Sequence, residues 1–226
     1  MNAVSAEDWD AIALSLRVAS TAVIAGLPIA LGVGLLLARG RFPGRSILDA
    51  LTQLPLVLPP VATGFALLLV FGQTGPLGRP LAALGIVLPF HWTGAALAAA
   101  VMALPLMIRP IRQAIEAIDP DLEDAARGLG AGPVACLARI TAPLAAPGVV
   151  AAVILGFGRA LGEFGATVTF AAAIPGETLT LPTDIYQATQ SPGGEGHAMI
   201  LCAIAAAIAF AAVLASEPIV RRLRRG

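Results

Sequence analysis

Lysine is absent from this 226-residue chain; all 14 basic residues are arginine. That excludes chemistry that turns on a lysine: the phosphate-binding lysine of a nucleotide-binding loop, a kinase lysine, or a Schiff base. If ATP has a role here, another chain must bind it. Charge of either sign is scarce, at 12% of residues against roughly 25% in an ordinary soluble domain. Aromatic residues make up only 5%. Hydrophobic residues reach 58%, and the mean hydropathy is +0.86. Too little polar surface is left to cover a soluble fold, which argues against a soluble enzyme or a nucleic-acid-binding module. The two cysteines, Cys136 and Cys202, are far apart and form no CxxC, so neither a disulfide nor a metal site is expected. No His/Cys/Asp cluster has ligand spacing, and neither GxSxG nor HExxH occurs. The expectation is therefore no metal and no cofactor.

What the chain has is long apolar runs. Val18 to Ala38, Ala50 to Gly78, Pro80 to Ile108, Ile140 to Gly158 and Ala198 to Ala215 are each free or almost free of charge. Each is long enough, at 1.5 Å per residue, to cross a hydrocarbon core of about 30 Å. The reading is all-α, a polytopic membrane protein with about five transmembrane helices, in a single domain over 1–226. Arginine orients the spans. With five crossings, eleven of the fourteen arginines fall on one side, in the linkers after the first and third spans and in the tail with Arg221, Arg222, Arg224 and Arg225. The opposite side takes Glu7, Asp8, Asp10, Glu177, Asp184 and Glu195. The N-terminus is then outside and the C-terminus cytoplasmic, with Trp9 and Trp92 at outer interfaces. The acidic N-terminus, without a basic region, is not expected to be a cleaved signal peptide.

The cytoplasmic stretch 119–140 reads DPDLEDAARGLGAGPVACLARI. Asp119 can cap a helix with Pro120 at its first position, and acids follow in the first turn. Leu122, Ala125, Ala126 and Leu129 form a small apolar face, and Glu123 precedes Arg127 by four. Glycines 128, 130 and 132 stop the helix, and Pro133 can start another. From the residues alone this helix–turn–helix is either a connector or a docking element. Glu123, Ala125, Ala126, Gly130, Ile140 and Pro143 together resemble the EAA loop of ABC importer permeases, with Ala142 where that pattern usually has leucine. The resemblance implies a coupling helix that docks into a cytoplasmic ATPase, with Glu123, Ala125, Ala126, Arg127 and Gly130 as the coupling residues.

Between Pro143 and Ile174 the chain is longer than one straight span needs, and it carries Gly156, Gly158, Gly162 and Gly165 beside Arg159 and Glu163. Arg159 and Glu163 can pair along one face, and Gly158 to Gly162 is a GxxxG step. This segment is either a packing pair or a deformable gate comprising Arg159, Gly162, Glu163, Gly165, Thr167 and Thr169. Thr167 and Thr169 do not share one helical face, so one of them is expected to line a path. The segment 174–197 is polar and rich in Pro and Gly, with a short helix expected over 182–190, capped by Thr180 or Thr183. It is either a connecting loop or an extracytoplasmic docking or vestibule segment. His91 and His197 read as satisfied interfacial residues.

GRALGEFGAT, IPGETLTLPTDIY and QSPGGE resemble the molybdate permease branch of ABC importers; sulfate and tungstate permeases share much of LGEFGA. The resemblance runs from about Ser15 to the C-terminal arginines. It implies a bacterial inner-membrane permease that forms the translocation pathway as a dimer with a second copy of itself. It also implies two copies of a cytoplasmic ATP-binding subunit and an extracytoplasmic oxyanion-binding protein. The resemblance further implies surrounding membrane lipid, no nucleic-acid partner, and a permease that is itself no enzyme. An intramembrane enzyme built on Arg159, Glu163 and His91 would lack a nucleophile–base pair, and a membrane scaffold would leave the EAA spacing unexplained.

Overall fold

The computed structural model describes residues 4–223; Arg224 and Arg225, counted above in the basic tail, lie outside the described residues. Among these residues there are eleven α-helices and one π-helical turn. Four helices are long and apolar enough to cross a membrane, and a bent pair makes up to five spans.

Helix α1 (Ala6–Arg39) begins earlier than its apolar run. Ser5 Oγ accepts from Asp8 N at 3.2 Å while Asp8 accepts from Ser5 N. This capping box closes the first turn and extends the helix to about 50 Å. Its buried stripe is small: Ala19, Ala22, Gly26, Ala30 and Gly34. It faces α5 (Trp92–Glu116), whose buried residues include Ala95, Ala99, Ala103, Met107 and Ile111. Without a hydrophobic drive between helices in lipid, small residues gain contact by bringing backbones close. At Gly34 an added methyl would lie 2.8 Å from Ile111 Cγ2. Helix α5 is thus the central helix, with α1 on one side and α8 (Ala142–Leu161) on the other. Gly156 admits Met107, whose Cγ would lie 2.6 Å from an added methyl.

The expected second span, Ala50 to Gly78, is instead two helices, α2 (Arg45–Val57) and α3 (Pro60–Phe71), bent by 115°. Pro59 forces Leu58 into extended backbone (ψ 144°), and Pro60 restarts the helix at its first turn. The expected third span, Pro80 to Ile108, is corrected at its start. Gly78–Ala83 is the short helix α4, residues 84–91 are not helical, and α5 begins only at Trp92. Gly85 (φ +76°) ends α4, and Pro89 with Phe90 (φ +60°) prevents an early restart. His91 then caps α5.

Helix α6 (Pro120–Gly128) and the single turn α7 (Pro133–Cys136) follow α5, and a π-helical turn at Leu137–Thr141 leads into α8. Helix α8 breaks at 162–164, and α9 (Gly165–Phe170) lies against α3. That crossing is close because both helices carry glycine. A methyl on Gly64 would lie 2.6 Å from Ala166 O, and one on Gly165 would lie 2.7 Å from Pro60 Cβ. Helix α10 (Leu181–Gln190) and the long α11 (Glu195–Leu223) complete the chain.

Candidate functional site

Polar side chains gather at the two opposite ends of the bundle and at the break after α8. At the first end, Asp119 caps α6 by accepting from Asp121 N at 3.0 Å, and Pro120 occupies the first helical position. Gly130 takes φ +89°, and Ala131 N donates to Ala126 O at 2.9 Å, closing the helix with a left-handed cap. Glu123 faces inward and is buried. Its Oε1 accepts from Arg39 Nη2 at 3.0 Å and from Thr141 Oγ1 at 2.9 Å. Its Oε2 lies 3.4 Å from Arg127, which also pairs with Asp124 at 2.7 Å. One carboxylate therefore joins the end of α1, the first turn of α6 and the π-helical turn. The spacing-based reading expected the Arg127 pair. It missed Arg39 and Thr141, which are remote in sequence; the only hint was an arginine ending the first span on the same side.

The opposite face of this loop is open. Ala125, Arg127 and Gly130 are exposed, Ala126 is half-buried, and the large apolar residues Leu122, Leu129 and Val134 are exposed at 50%, 91% and 78%. The helix is anchored from within, and its exposed side carries Leu122, Ala125 and Leu129 beside the charged Asp121, Asp124 and Arg127. Nearby, Arg112 bonds Asp49 and Glu116, each at 2.8 Å, and Arg45 reaches Glu116 at 3.2 Å.

At the break, Arg159 pairs with Glu163. Glu163 is buried, and its Oε1 accepts from Ala166 N at 2.8 Å. The carboxylate therefore caps α9 as well as neutralising an arginine, a role that the i, i+4 spacing did not suggest. Gly162 lies in the break, and nothing from another helix packs within 4 Å of a methyl built there or on Gly158; the tight contacts are at Gly156 and Gly165. Thr167 is buried, and Thr169 Oγ1 donates to Gly165 O at 2.8 Å.

At the other end, Thr180 and Thr183 form the capping box of α10, and Ser15 Oγ of α1 accepts from Leu181 N at 2.6 Å. Thr178 Oγ1 accepts from Ile174 N at 2.9 Å. The threonines of GETLTLPTDIY thus order the loop and start α10, and the Leu181–Ser15 bond ties α10 to α1. His91 Nε2 lies 3.1 Å from Glu177, His197 Nε2 lies 3.0 Å from Asp8, and Arg17 stacks on Trp92 at 3.7 Å. Asp184 is buried beside Asp8, and its Oδ2 has no hydrogen-bond partner among the described residues. Burial pushes its carboxyl up to about 6; Asp8 adds to the rise and His197 opposes it. Among the described residues no group of His, Cys, Asp and Glu could hold a metal ion, and both cysteines are free.

Residues 16–225 match the family described as binding-protein-dependent transport system inner membrane component. The chain is 49% identical over 215 residues to the molybdenum transport system permease protein ModB of Escherichia coli (strain K12), covering 95% of this chain and 94% of that protein. It is 34% identical over 178 residues to the sulfate transport system permease protein CysT of Salmonella typhimurium, covering 77% and 64%. Among solved structures, a chain of the inward-facing MetNI methionine ABC transporter shares the fold with a TM-score of 0.72 at 19% identity, covering 94% of each chain. A chain of a bacterial alginate ABC transporter, solved with its alginate pentasaccharide-bound periplasmic protein, gives 0.74 at 19%, covering 97% of this chain and 80% of that one.

Proposed function

The chain belongs to the family of binding-protein-dependent transport system inner membrane components, and on that premise we propose that it is the permease subunit of an ATP-driven importer for molybdate. The observation that carries this reading is the near full-length similarity to a molybdenum permease, against a weaker and shorter similarity to a sulfate permease. Two copies of the chain enclose the pathway. Two copies of a cytoplasmic ATP-binding subunit supply hydrolysis, and an extracytoplasmic oxyanion-binding protein delivers the ion. The chain lies in the inner membrane with its N-terminus outside and its C-terminus in the cytoplasm, because arginine gathers at the α6 end.

The segment 119–140 is the coupling element. Ala125, Ala126, Arg127 and Gly130 meet the ATPase, while Glu123 ties α6 to α1 and α8, so that a push on α6 reaches the spans. The segment 174–197 is the outer docking segment. The break after α8 is the gate: Gly162 and Gly165 let the segment bend, and the Arg159–Glu163 pair with Thr167 and Thr169 holds α9 in register beside the pathway.

The test is ATP-dependent uptake of labelled molybdate, tungstate and sulfate by the complex reconstituted with its ATPase and binding protein. Uptake of molybdate well above sulfate is expected; sulfate uptake with none of molybdate would refute the assignment. In the same assay Glu163→Gln alone should impair uptake more than Glu163→Gln combined with Arg159→Gln, because the single change leaves a guanidinium unpaired in the membrane.

A further inference from the structure

At the α6 end of the bundle, α2 and α5 enclose a cavity of about 450 Å³. On α5 it is lined by Arg109, Arg112, Gln113 and Glu116, which share one helical face at i, i+3, i+4 and i+7, and on α2 by Asp49 and Gln53. The far side of α5 is apolar and buried through Ile111 and Ile115, so the polar face is fixed in direction by the packing behind it. Within the cavity the charges are unequally satisfied. Arg112 is held by Asp49 and Glu116, and Arg45 shares Glu116. Asp49 and Glu116 are thus balanced by Arg112 in the lining and by Arg45 beside it. The uncompensated positive charge resides on Arg109, which is exposed and has no ion pair or hydrogen bond among the described residues. The side-chain amides of Gln53 and Gln113 are likewise without partners among the described residues.

A free guanidinium and two free carboxamides in one lining supply a set of N–H donors and one positive charge. The ligand chemistry that matches is a group with several acceptor oxygens, negative charge and no donor of its own, namely a tetrahedral oxyanion. The two paired carboxylates repel the same ion, and the cavity is open enough for it to keep part of its hydration. Binding is therefore weak, on the order of millimolar, as a point of release requires. We propose that this cavity is a low-affinity exit site for the transported oxyanion, held by Arg109 with the amide N–H groups of Gln53 and Gln113. The identity of the ligand and the side on which the cavity opens rest on the function proposed above. A phospholipid headgroup offers the same oxyanion chemistry, so the experiment separates the two sources.

The permease assembled with its ATPase, in nanodiscs of zwitterionic phosphatidylcholine, is treated with phenylglyoxal, and modification of each arginine is followed by peptide mass spectrometry. Molybdate or sulfate at about ten times the dissociation constant is expected to slow modification of Arg109 about tenfold relative to chloride at matched ionic strength. Arg79, exposed and also without a partner among the described residues, should be unaffected. Gln53→Leu with Gln113→Leu should weaken the protection while Arg109 is still present. Equal protection by chloride, or none by either oxyanion, overturns the site. Protection seen only with phosphatidylglycerol nanodiscs and no added oxyanion assigns the cavity to lipid and also overturns it. Uptake by the same wild-type complex is measured in parallel: uptake without protection defeats the exit site alone, whereas protection without uptake defeats the transport assignment and with it the exit role, leaving only an oxyanion-binding cavity.

Discussion

Glu123 is a single carboxylate on which three elements converge, and its burial makes its charge consequential. Arg39 is part-buried beside it, and Arg39 Nε has no partner of its own among the described residues. Glu123→Gln keeps the shape but leaves the guanidinium uncompensated. It is expected to destabilise the protein by about 2 kcal/mol and to weaken coupling of ATP hydrolysis to uptake. The thermal midpoint and the uptake-to-hydrolysis ratio measure both effects. Arg39→Gln should behave alike, and the double variant should cost less than the two singles together. Asp184 has the opposite character, because its folded state favours the protonated acid. Its carboxyl titrates at about 6, above the usual carboxylate range. Its contribution to stability is therefore complete below about pH 4 and is lost as pH rises through about 6. Asp184→Asn should remove that slope and raise stability at pH 7.5 by on the order of 2 kcal/mol. Thermal unfolding between pH 4.5 and 7.5 tests it, and an unchanged slope in the variant would contradict the assignment.

Elements in this chain meet wherever glycine or alanine lets them. The crossing of α3 and α9 depends on Gly64 and Gly165, with Pro60 directly against Gly165. Gly165→Leu should push α9 off α3 and lower stability by about 1–3 kcal/mol, with loss of uptake. Gly158 is different, since nothing lies within 4 Å of a methyl placed there. Gly158→Ala should be neutral or stabilising by up to about 1 kcal/mol through its effect on helix propensity. Comparing the thermal midpoints of the two variants tests the pair; equal damage from both would mean that the contact at Gly165 is not what positions α9.

For the whole molecule, the contacts sort the polar groups into two ends. Arg39 pairs with Glu123, and Arg45, Glu116, Arg112 and Asp49 form a second group, at one; Asp8 pairs with His197 and Ser15 with Leu181 at the other. Reading α2 and α3 as one bent span gives up to five crossings, and the orientation proposed above then requires the termini to lie on opposite sides. In a variant without Cys136 and Cys202, Asp10→Cys is expected to react with an impermeant thiol reagent only from outside, and Leu129→Cys only from the cytoplasmic side. Labelling of both from one side would refute the topology.

Local rules and composition were enough for much of this. Apolar run length marked the spans, Asp119–Pro120 and Gly130 bounded α6, and Thr180 with Thr183 started α10, because caps and hydropathy act over a few neighbouring residues or a single span. The start of α5 at Trp92 escaped, since an apolar run looks the same whether helical or broken, and backbone turns at Gly85 and Phe90 leave hydropathy unchanged. The 115° bend between α2 and α3 escaped too, although Pro59–Pro60 marked its place: proline announces a break but not its angle. Only the tertiary structure brought Arg39 and Thr141 to Glu123, Ser15 to Leu181, and Asp8 to Asp184. Those partners are separated by up to 176 positions, and their meeting depends on which small-residue stripes let α1, α5 and α8 approach, a property of packing between helices that no single stretch of chain contains.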